Sequence, residues 1–263
     1  MNILFIGDIV GKLGRKTLAH FLPSLIKQEK IDFVIANGEN VTHGRGINKR
    51  HFLELKENGV DVITLGNHYD DKDDTVNFIS EYNELLRPLN LKNSYPGNGT
   101  GVFTAKNGQK IRVTNVLGQA FIRMEVDKPI KQVEEIIKLD EDVIHIIDFH
   151  GEATAEKQAF AYYLDGKVTA VLGTHTHVQT NDARILPNGT AFMCDVGMCG
   201  DYDGVLGVEK ESVITKMWFD HSKYYEYKGT GTGIFSAVIL QIDDKTKKVV
   251  KITPLSEIAE INE

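Results

Sequence analysis

Polar side chains suited to metal binding or acid–base chemistry recur where the predicted strands of this 263-residue chain end. They comprise two carboxylates, two amides and four imidazoles: Asp8, Glu39, Asn40, Asn67, His68, His150, His175 and His177. The carboxyl ends of strands in open α/β sheets line the crevice where ligands bind. Each residue alone could be a turn former or an ordinary surface residue. Their joint placement at one edge of a sheet predicts a shared metal site.

The donor types in this set indicate which ions the site would hold. Carboxylate, amide and imidazole groups without a thiolate suit first-row metals such as iron, manganese, cobalt or zinc. Six or seven protein ligands are too many for one catalytic ion with an open position. They fit two ions that share one carboxylate, and two ions about 3.5–4 Å apart are a known arrangement for hydrolysing phosphate esters. The expected nucleophile is a hydroxide held between the ions.

Short apolar runs alternate with helical patterns along the chain, and these predict the elements that position the site. The predicted strands are residues 3–7, 33–36, 62–65, 143–148, 170–173, 191–194, 234–242 and 249–252, with a hairpin of 102–105 and 111–116. The predicted helices are 15–28, 48–58, 73–86, 153–163 and 211–219, and residues 8–14 are predicted to form a loop. This order predicts an α/β fold with central mixed β-sheets flanked by helices, in a single domain spanning residues 1–263.

Composition excludes several classes of protein. The chain has 30 Lys+Arg against 37 Asp+Glu, a net charge of −7, which argues against a general nucleic-acid binder with a basic face. No apolar run approaches the roughly 20 residues that span a bilayer. Cys194 and Cys199 do not indicate a disulfide framework. We therefore expect a cytoplasmic protein without membrane attachment or stable binding of nucleic-acid duplexes.

Seven segments together resemble the calcineurin-like metallophosphoesterase superfamily, and more closely its YmdB-type branch of bacterial cyclic-nucleotide phosphodiesterases. The segments are FIGDIVGKLGR (5–15), NGEN (37–40), GRGI (44–47), ITLGNH (63–68), DFHGEATAEK (148–157), GTHTHVQT (173–180) and CDVGMCGDYDGVLG (194–207). The resemblance implies a metallophosphoesterase-like layered sandwich. It also implies a metal-dependent phosphodiesterase acting on small phosphodiesters, above all 2′,3′-cyclic nucleotides, and a homo-oligomer.

The resemblance also implies roles for the site residues. One metal would bind Asp8, Glu39, Asn40 and His177, and the other would bind Glu39, Asn67, His150 and His175. His68 would be catalytic rather than a ligand, protonating the leaving oxygen. The two divalent or trivalent ions are expected to be iron or manganese, with zinc also compatible.

The first motif departs from the wider superfamily in a way that supports the closer assignment. The wider superfamily has Asp-x-His there, whereas this chain has Val10, which cannot bind a metal. The amide of Asn40 can replace the missing imidazole, and Glu39 takes the place of the usual bridging aspartate. The YmdB-type branch shares this exchange.

Two other functions remain open at this point. The chain could be a nucleotide-sensing regulatory protein with little turnover, or a phosphomonoesterase on the same scaffold. A dinucleotide-binding module is excluded because residues 7–11 lack the G-x-G-x-x-G spacing.

The remaining predictions concern individual side chains and one segment. His43 and Arg45 are candidates to contact a phosphate or a base. His20, His51 and His221 are predicted to lie on the surface, and His145 inside a strand. The glycine-rich segment 197–207 could be a lid or a subunit contact.

Overall fold

The computed structural model describes residues 1–91, 95–139 and 143–262. The strands among these residues are β1 Asn2–Ile6, β2 Asp8–Ile9, β3 Phe33–Asn37, β4 Val62–Thr64, β5 Leu85–Leu86, β6 Thr100–Thr104, β7 Lys110–Leu117, β8 Ile144–His150, β9 Ala170–Thr174, β10 Arg184–Ile185, β11 Ala191–Met193, β12 Met198–Asp201, β13 Gly231–Ile242 and β14 Val249–Ile261. The helices are α1 Gly11–Gln28, α2 Lys49–Glu57, α3 Asp73–Phe78, α4 Pro129–Leu139, α5 Thr154–Tyr163 and α6 Lys210–Trp218.

The strands form two mixed sheets. The first has the order β2-β12-β13-β1-β3-β4-β5, with β14 also paired to β13. Its β1, β3, β4 and β5 run parallel, and β13 is antiparallel to β1. The second sheet has the order β10-β11-β9-β8-β7-β6, with β7, β8, β9 and β11 parallel. In each sheet, the parallel strands therefore bring several carboxyl ends to one edge.

Alternating side chains of the inner strands fill separate apolar layers. In β1, Leu4 belongs to the cluster that contains the α1 residue Leu18, whereas Phe5 belongs to a cluster with β7 and β8 residues of the second sheet. A third cluster joins β8 and β9 to α5. Successive strand residues point to opposite faces, so a strand covered on both faces is apolar throughout. The predicted α/β fold with central mixed β-sheets flanked by helices is confirmed.

Helix α1 begins at Gly11, so the prediction of a loop over residues 8–14 is wrong for most of that segment. Asp8 and Ile9 pair with β12, which lies far away in the sequence. Gly14 lies inside the helix, and a Cβ there would be 2.3 Å from the Cys199 carbonyl oxygen. This glycine therefore permits close helix–strand packing rather than a turn.

The predicted helix 73–86 is also partly wrong. Helix α3 ends at Phe78, a single 3₁₀ turn covers Ile79–Glu81, and Leu85 and Leu86 form β5. Pairing of Leu85 with Ile63 of β4 overrides the local helical pattern.

The other predicted elements are present with shifts of a few residues, except that β14 extends well beyond its predicted end at residue 252. The hairpin of β6 and β7 forms with Gly108 at a φ of 86°. Helix α4, β2, β10 and β12 were not predicted. None of the described helices is long and apolar enough to cross a bilayer. The single domain over residues 1–263 stays a prediction.

Candidate metal centre and active site

The strand ends of both sheets meet at the edge where the polar residues lie. Asp8 is in β2, and Glu39 and Asn40 follow β3. Asn67 and His68 follow β4, and His175 and His177 follow β9. His150 is the last residue of β8, although the sequence placed it after the strand. Each of the seven predicted ligands has a side-chain atom within 4 Å of another member of the set.

One group of donor atoms surrounds the Nε2 atom of His150. Glu39 Oε1 lies 3.0 Å from it, Asn67 Oδ1 3.1 Å and His175 Nδ1 3.0 Å. An imidazole nitrogen carries at most one proton, so it cannot satisfy three acceptors at once. The convergence of lone pairs at this point is the arrangement that a cation stabilises.

A second group surrounds the amide of Asn40. Asn40 Nδ2 lies 3.1 Å from His177 Nε2, 3.2 Å from Glu39 Oε1 and 3.5 Å from Asp8 Oδ1. Asp8 Oδ1 is also 3.8 Å from His177 Nε2. Rotation of the amide by 180° would turn its oxygen towards the same atoms. The two groups share the Glu39 carboxylate.

The three imidazoles are each oriented by an acceptor on the nitrogen remote from the cluster. His175 Nε2 faces Glu152 Oε2 at 3.1 Å, and His177 Nδ1 faces the Leu206 carbonyl at 2.9 Å. His150 Nδ1 faces the Thr174 hydroxyl at 2.9 Å. A carboxylate or carbonyl oxygen only accepts, so the proton is on the remote nitrogen and the lone pair points into the cluster. Metal-binding histidines in proteins are held in this way.

The His150 tautomer depends on a buried carboxylate behind it. Asp148 accepts the hydroxyl of Thr174 at 2.6 Å, the hydroxyl of Thr64 at 2.5 Å and the amide of Asn37 at 3.0 Å. Because the Thr174 hydroxyl donates to Asp148, its oxygen accepts the proton of His150 Nδ1. Burial raises the pKa of Asp148, and these three donors oppose that rise.

The electrostatic field of the cluster favours positive charge. Burial raises the pKa of Asp8 to about 6 and lowers that of His175 to about 3. Burial would also lower the pKa of His150, but Glu39 and Asp8 outweigh it and raise the value to about 9. Burial would raise the pKa of Glu39, but His150 holds it well below its usual range. Glu39 and Asp8 therefore stabilise a positive charge at His150, whereas burial opposes one at His175.

Gly66 leaves room for the cluster. A Cβ at this position would lie 2.4 Å from Glu39 Oε2 and 2.4 Å from His150 Nε2. Any side chain here would occupy the space between the donors. The donor set, the oriented lone pairs and this missing Cβ fit a bound metal.

A buried ion pair supports the segment that carries His175 and His177. Lys157 Nζ donates to the Thr174 carbonyl at 2.7 Å and to Asp195 Oδ2 at 2.9 Å, and both side chains are about 1% exposed. The same Asp195 oxygen accepts the Thr176 backbone N–H at 3.0 Å. His175 and His177 have φ values of 100° and 63°, which side-chain-bearing residues adopt only when the surroundings hold them.

His68 lies beside the cluster. Its backbone N–H donates to Glu39 Oε2 at 3.0 Å, and its Nδ1 is 2.8 Å from Asp71 Oδ2. The carboxylate fixes a proton on Nδ1 and leaves Nε2 for another partner. His68, Asn67 and His175 are among the residues that line a pocket of about 460 Å³.

Several features of the site were not found by the sequence analysis. Asp148, Thr174 and Lys157 lie inside quoted motifs, but no role was given to them. Leu206 is a partner of His177 in the glycine-rich segment, whose first part is the inner strand β12 rather than a lid. Arg45, by contrast, was a candidate from the sequence, and it lines the pocket.

The prediction for His51 is wrong. This side chain is buried beneath the loop that follows Asn40, and its Nδ1 is 2.8 Å from the Thr42 hydroxyl. Helix α2 begins at Lys49, and the Asn48 side chain accepts the His51 backbone N–H. His51 lies on the inward face of this turn, whereas Arg50 is exposed. His145 is buried in β8, as predicted.

The two-sheet sandwich with this polar edge defines a metallophosphoesterase-type hydrolase of phosphoric esters. The predicted metallophosphoesterase-like layered sandwich is thus confirmed. Residues 4–255 match the model of the family described as YmdB-like protein. The chain belongs to this family, as the motifs indicated.

Relatives with assigned names or solved structures cover nearly the whole chain. The 2′,3′-cyclic-nucleotide 2′-phosphodiesterase of Bacillus subtilis is 43% identical over 253 residues, which are 96% of this chain and 95% of that protein. The crystal structure of a novel phosphatase from Mycoplasma pneumoniae has a TM-score of 0.91 and 38% identity, covering 99% of this chain and 94% of that one. The crystal structure of a hypothetical protein from Thermus thermophilus also has a TM-score of 0.91, with 34% identity and coverage of 98% and 99%.

Proposed function

We propose that this protein is a phosphodiesterase that hydrolyses 2′,3′-cyclic nucleotides with two bound metal ions. The observation that carries the proposal is the pair of donor groups that share Glu39, each completed by oriented imidazole lone pairs. The name of the Bacillus subtilis relative supports the choice of substrate.

The proposed ligands follow the two groups of distances. One ion would bind Asp8, Glu39, Asn40 and His177, with the Asn40 amide turned to present its oxygen. The other would bind Glu39, Asn67, His150 and His175. Iron and manganese suit this set of oxygen and nitrogen donors, and zinc is also compatible.

The chemistry that the ions supply when bound is a lowered pKa of water and neutralised charge on the phosphoryl oxygens. The chain itself positions the reactants. Glu39 and Asp8 keep the donor edge negative, and the fixed imidazoles resist reorganisation as charge develops. Water adds to phosphorus, the bond from phosphorus to O2′ breaks, and O2′ takes up a proton to give the nucleoside 3′-phosphate.

His68 would donate the proton that the departing O2′ needs. Asp71 holds Nδ1–H of the ring, so Nε2 is the nitrogen that would exchange the proton, and His68 lines the pocket. General acid catalysis of this kind contributes about 10²–10⁴ in rate.

A single-turnover assay with 2′,3′-cyclic AMP tests the proposal. The metal-depleted protein is mixed with substrate, and product is followed with and without added Mn²⁺. We expect nucleoside 3′-phosphate to form at a rate that rises with Mn²⁺ until two equivalents are bound. Binding of the nucleotide without product would identify a sensor and contradict the proposal. Turnover of phosphate monoesters but not of the cyclic diester would identify a phosphomonoesterase.

The cytoplasmic location and the homo-oligomeric state also remain proposals. They follow from the composition and from the resemblance of the motifs, respectively.

A further inference from the structure

A second part of the pocket beside His68 has chemistry that the metal site does not use. Its lining includes Phe121, Met124, Arg45 and Arg123, none of which belongs to the two donor groups, and Arg45 Nη1 also lies 3.6 Å from Asp71 Oδ2. The volume of about 460 Å³ lies in the range of small-molecule sites, roughly 300–1,000 Å³. One continuous pocket thus joins the candidate reaction centre to an aromatic ring, a thioether and two guanidinium groups.

Phe121 is held at the mouth of this pocket in an unusual conformation. Its side chain is 87% exposed, and its φ is 63°, in the left-handed region that bulky residues avoid. Other aromatic side chains, such as Phe219, are similarly exposed, but they do not line this pocket. A bulky ring kept in strained backbone beside a reaction centre favours a functional explanation over chance exposure.

The loop that carries Phe121 is fixed from both sides. The Glu156 carboxylate on α5 accepts the backbone N–H groups of Gln119 and Ala120, at 2.8 and 3.1 Å. The Asn90 side chain accepts the backbone N–H of Leu117 and donates to the Leu117 carbonyl. Its amide also donates to the Asp127 carbonyl at 2.9 Å. The ring is therefore presented by an anchored loop.

We propose that this part of the pocket is a nucleobase subsite in which the base of the substrate stacks on Phe121. The inference rests on the proposed function, because it assigns a base to the diester that is hydrolysed. A nucleobase is a flat ring that can stack on the face of Phe121. Its nitrogen and carbonyl acceptors can also receive hydrogen bonds from the guanidinium groups of Arg45 and Arg123. Stacking on a phenyl ring tolerates every base, so the subsite accepts purines and pyrimidines.

The experiment compares two diesters that differ in the base. The ratio of kcat/KM for 2′,3′-cyclic AMP to that for glycerol 1,2-cyclic phosphate is measured with Mn²⁺ for the wild type and for Phe121→Ala. Removing one stacking partner lowers this ratio about 5–150-fold. Phe121→Trp keeps the ratio near the wild-type value, and so does the matched surface control Phe219→Ala. A wild-type ratio in Phe121→Ala would overturn the proposal.

A binding measurement separates failure of the subsite from failure of the activity. Equilibrium dialysis gives the Kd of 3′-AMP and of inorganic phosphate for the same variants. If the wild type hydrolyses neither diester, the proposed function is refuted. In that case, selective weakening of 3′-AMP binding in Phe121→Ala still supports the subsite, and unchanged binding overturns it.

Discussion

Replacing Thr174 by valine tests how the buried carboxylate behind the cluster controls His150. The Thr174 hydroxyl donates to Asp148 at 2.6 Å and accepts from His150 Nδ1 at 2.9 Å. Valine has nearly the same shape but no hydroxyl. Without the hydroxyl, the described side chain that remains within 3.5 Å of His150 Nδ1 is Asn37, whose Nδ2 lies 3.3 Å away. This amide nitrogen is a donor, so it cannot accept the proton on Nδ1. The proton on Nδ1 then loses its hydroxyl acceptor, so the form of the ring that presents the Nε2 lone pair to a metal becomes less favoured.

The size of the effect follows from these contacts. Loss of an outer partner of a metal-binding histidine weakens metal binding about 10–100-fold. Loss of a hydrogen-bond donor to the buried Asp148 carboxyl also lowers the free energy of unfolding by about 1–3 kcal/mol. Titration calorimetry with Mn²⁺ measures the first quantity, and urea unfolding of the metal-free protein measures the second.

Thr64→Val is the matched control for Thr174→Val. The Thr64 hydroxyl donates to the other oxygen of Asp148 at 2.5 Å, and its next partner is the Ala36 carbonyl rather than the imidazole. We expect a similar loss of stability with nearly unchanged Mn²⁺ affinity. Equal Mn²⁺ affinities in the two variants would refute the control of the tautomer by Thr174.

Three further perturbations address the site and the fold. Glu39→Gln should lose metal at both positions together, measured as metal equivalents per chain, because one carboxylate belongs to both donor groups. His68→Ala should retain both metals and lose about 10²–10⁴ in kcat, measured with 2′,3′-cyclic AMP. Burial lowers the pKa of His145 from 6.5 to about 3. Between pH 6.5 and pH 3 the unfolded chain therefore binds more protons than the folded chain, and the free energy of unfolding falls as the pH is lowered. At pH 5 this loss is about 2 kcal/mol relative to pH 8, and urea unfolding of His145→Gln should show a correspondingly smaller difference.

Each of these expectations has a contradicting result. One retained metal equivalent in Glu39→Gln would argue against a shared carboxylate. Loss of metal in His68→Ala would make His68 a ligand or a support of one rather than a proton donor. An unchanged pH dependence in His145→Gln would mean that another group governs acid unfolding.

The position of the candidate ligands could be predicted from the sequence because each lies at or near the end of an apolar strand. Glu39 and Asn67 follow recognisable runs, and the chain order of the strands predicted one shared edge. The supporting layer could not be predicted in the same way. Thr64 and Asp148 are 84 residues apart and lie within apolar strands, where a polar residue is equally consistent with a surface-facing position.

The differences in the fold have the same origin. Strand β5 and strand β12 are short, and each exists because a distant strand offers backbone partners. Local propensity contains no information about such partners. The first turn of α1 was predicted as a loop because it contains Gly11 and Gly14, and glycine usually indicates a turn. Gly14 instead permits close packing of the helix against Cys199.

The most direct test of the two-metal centre is anomalous diffraction from crystals grown with Mn²⁺. The proposal predicts two peaks on either side of the Glu39 carboxylate, one beside Asn40 and His177 and the other beside His150 and His175. A single peak, or none, at saturating Mn²⁺ would contradict it.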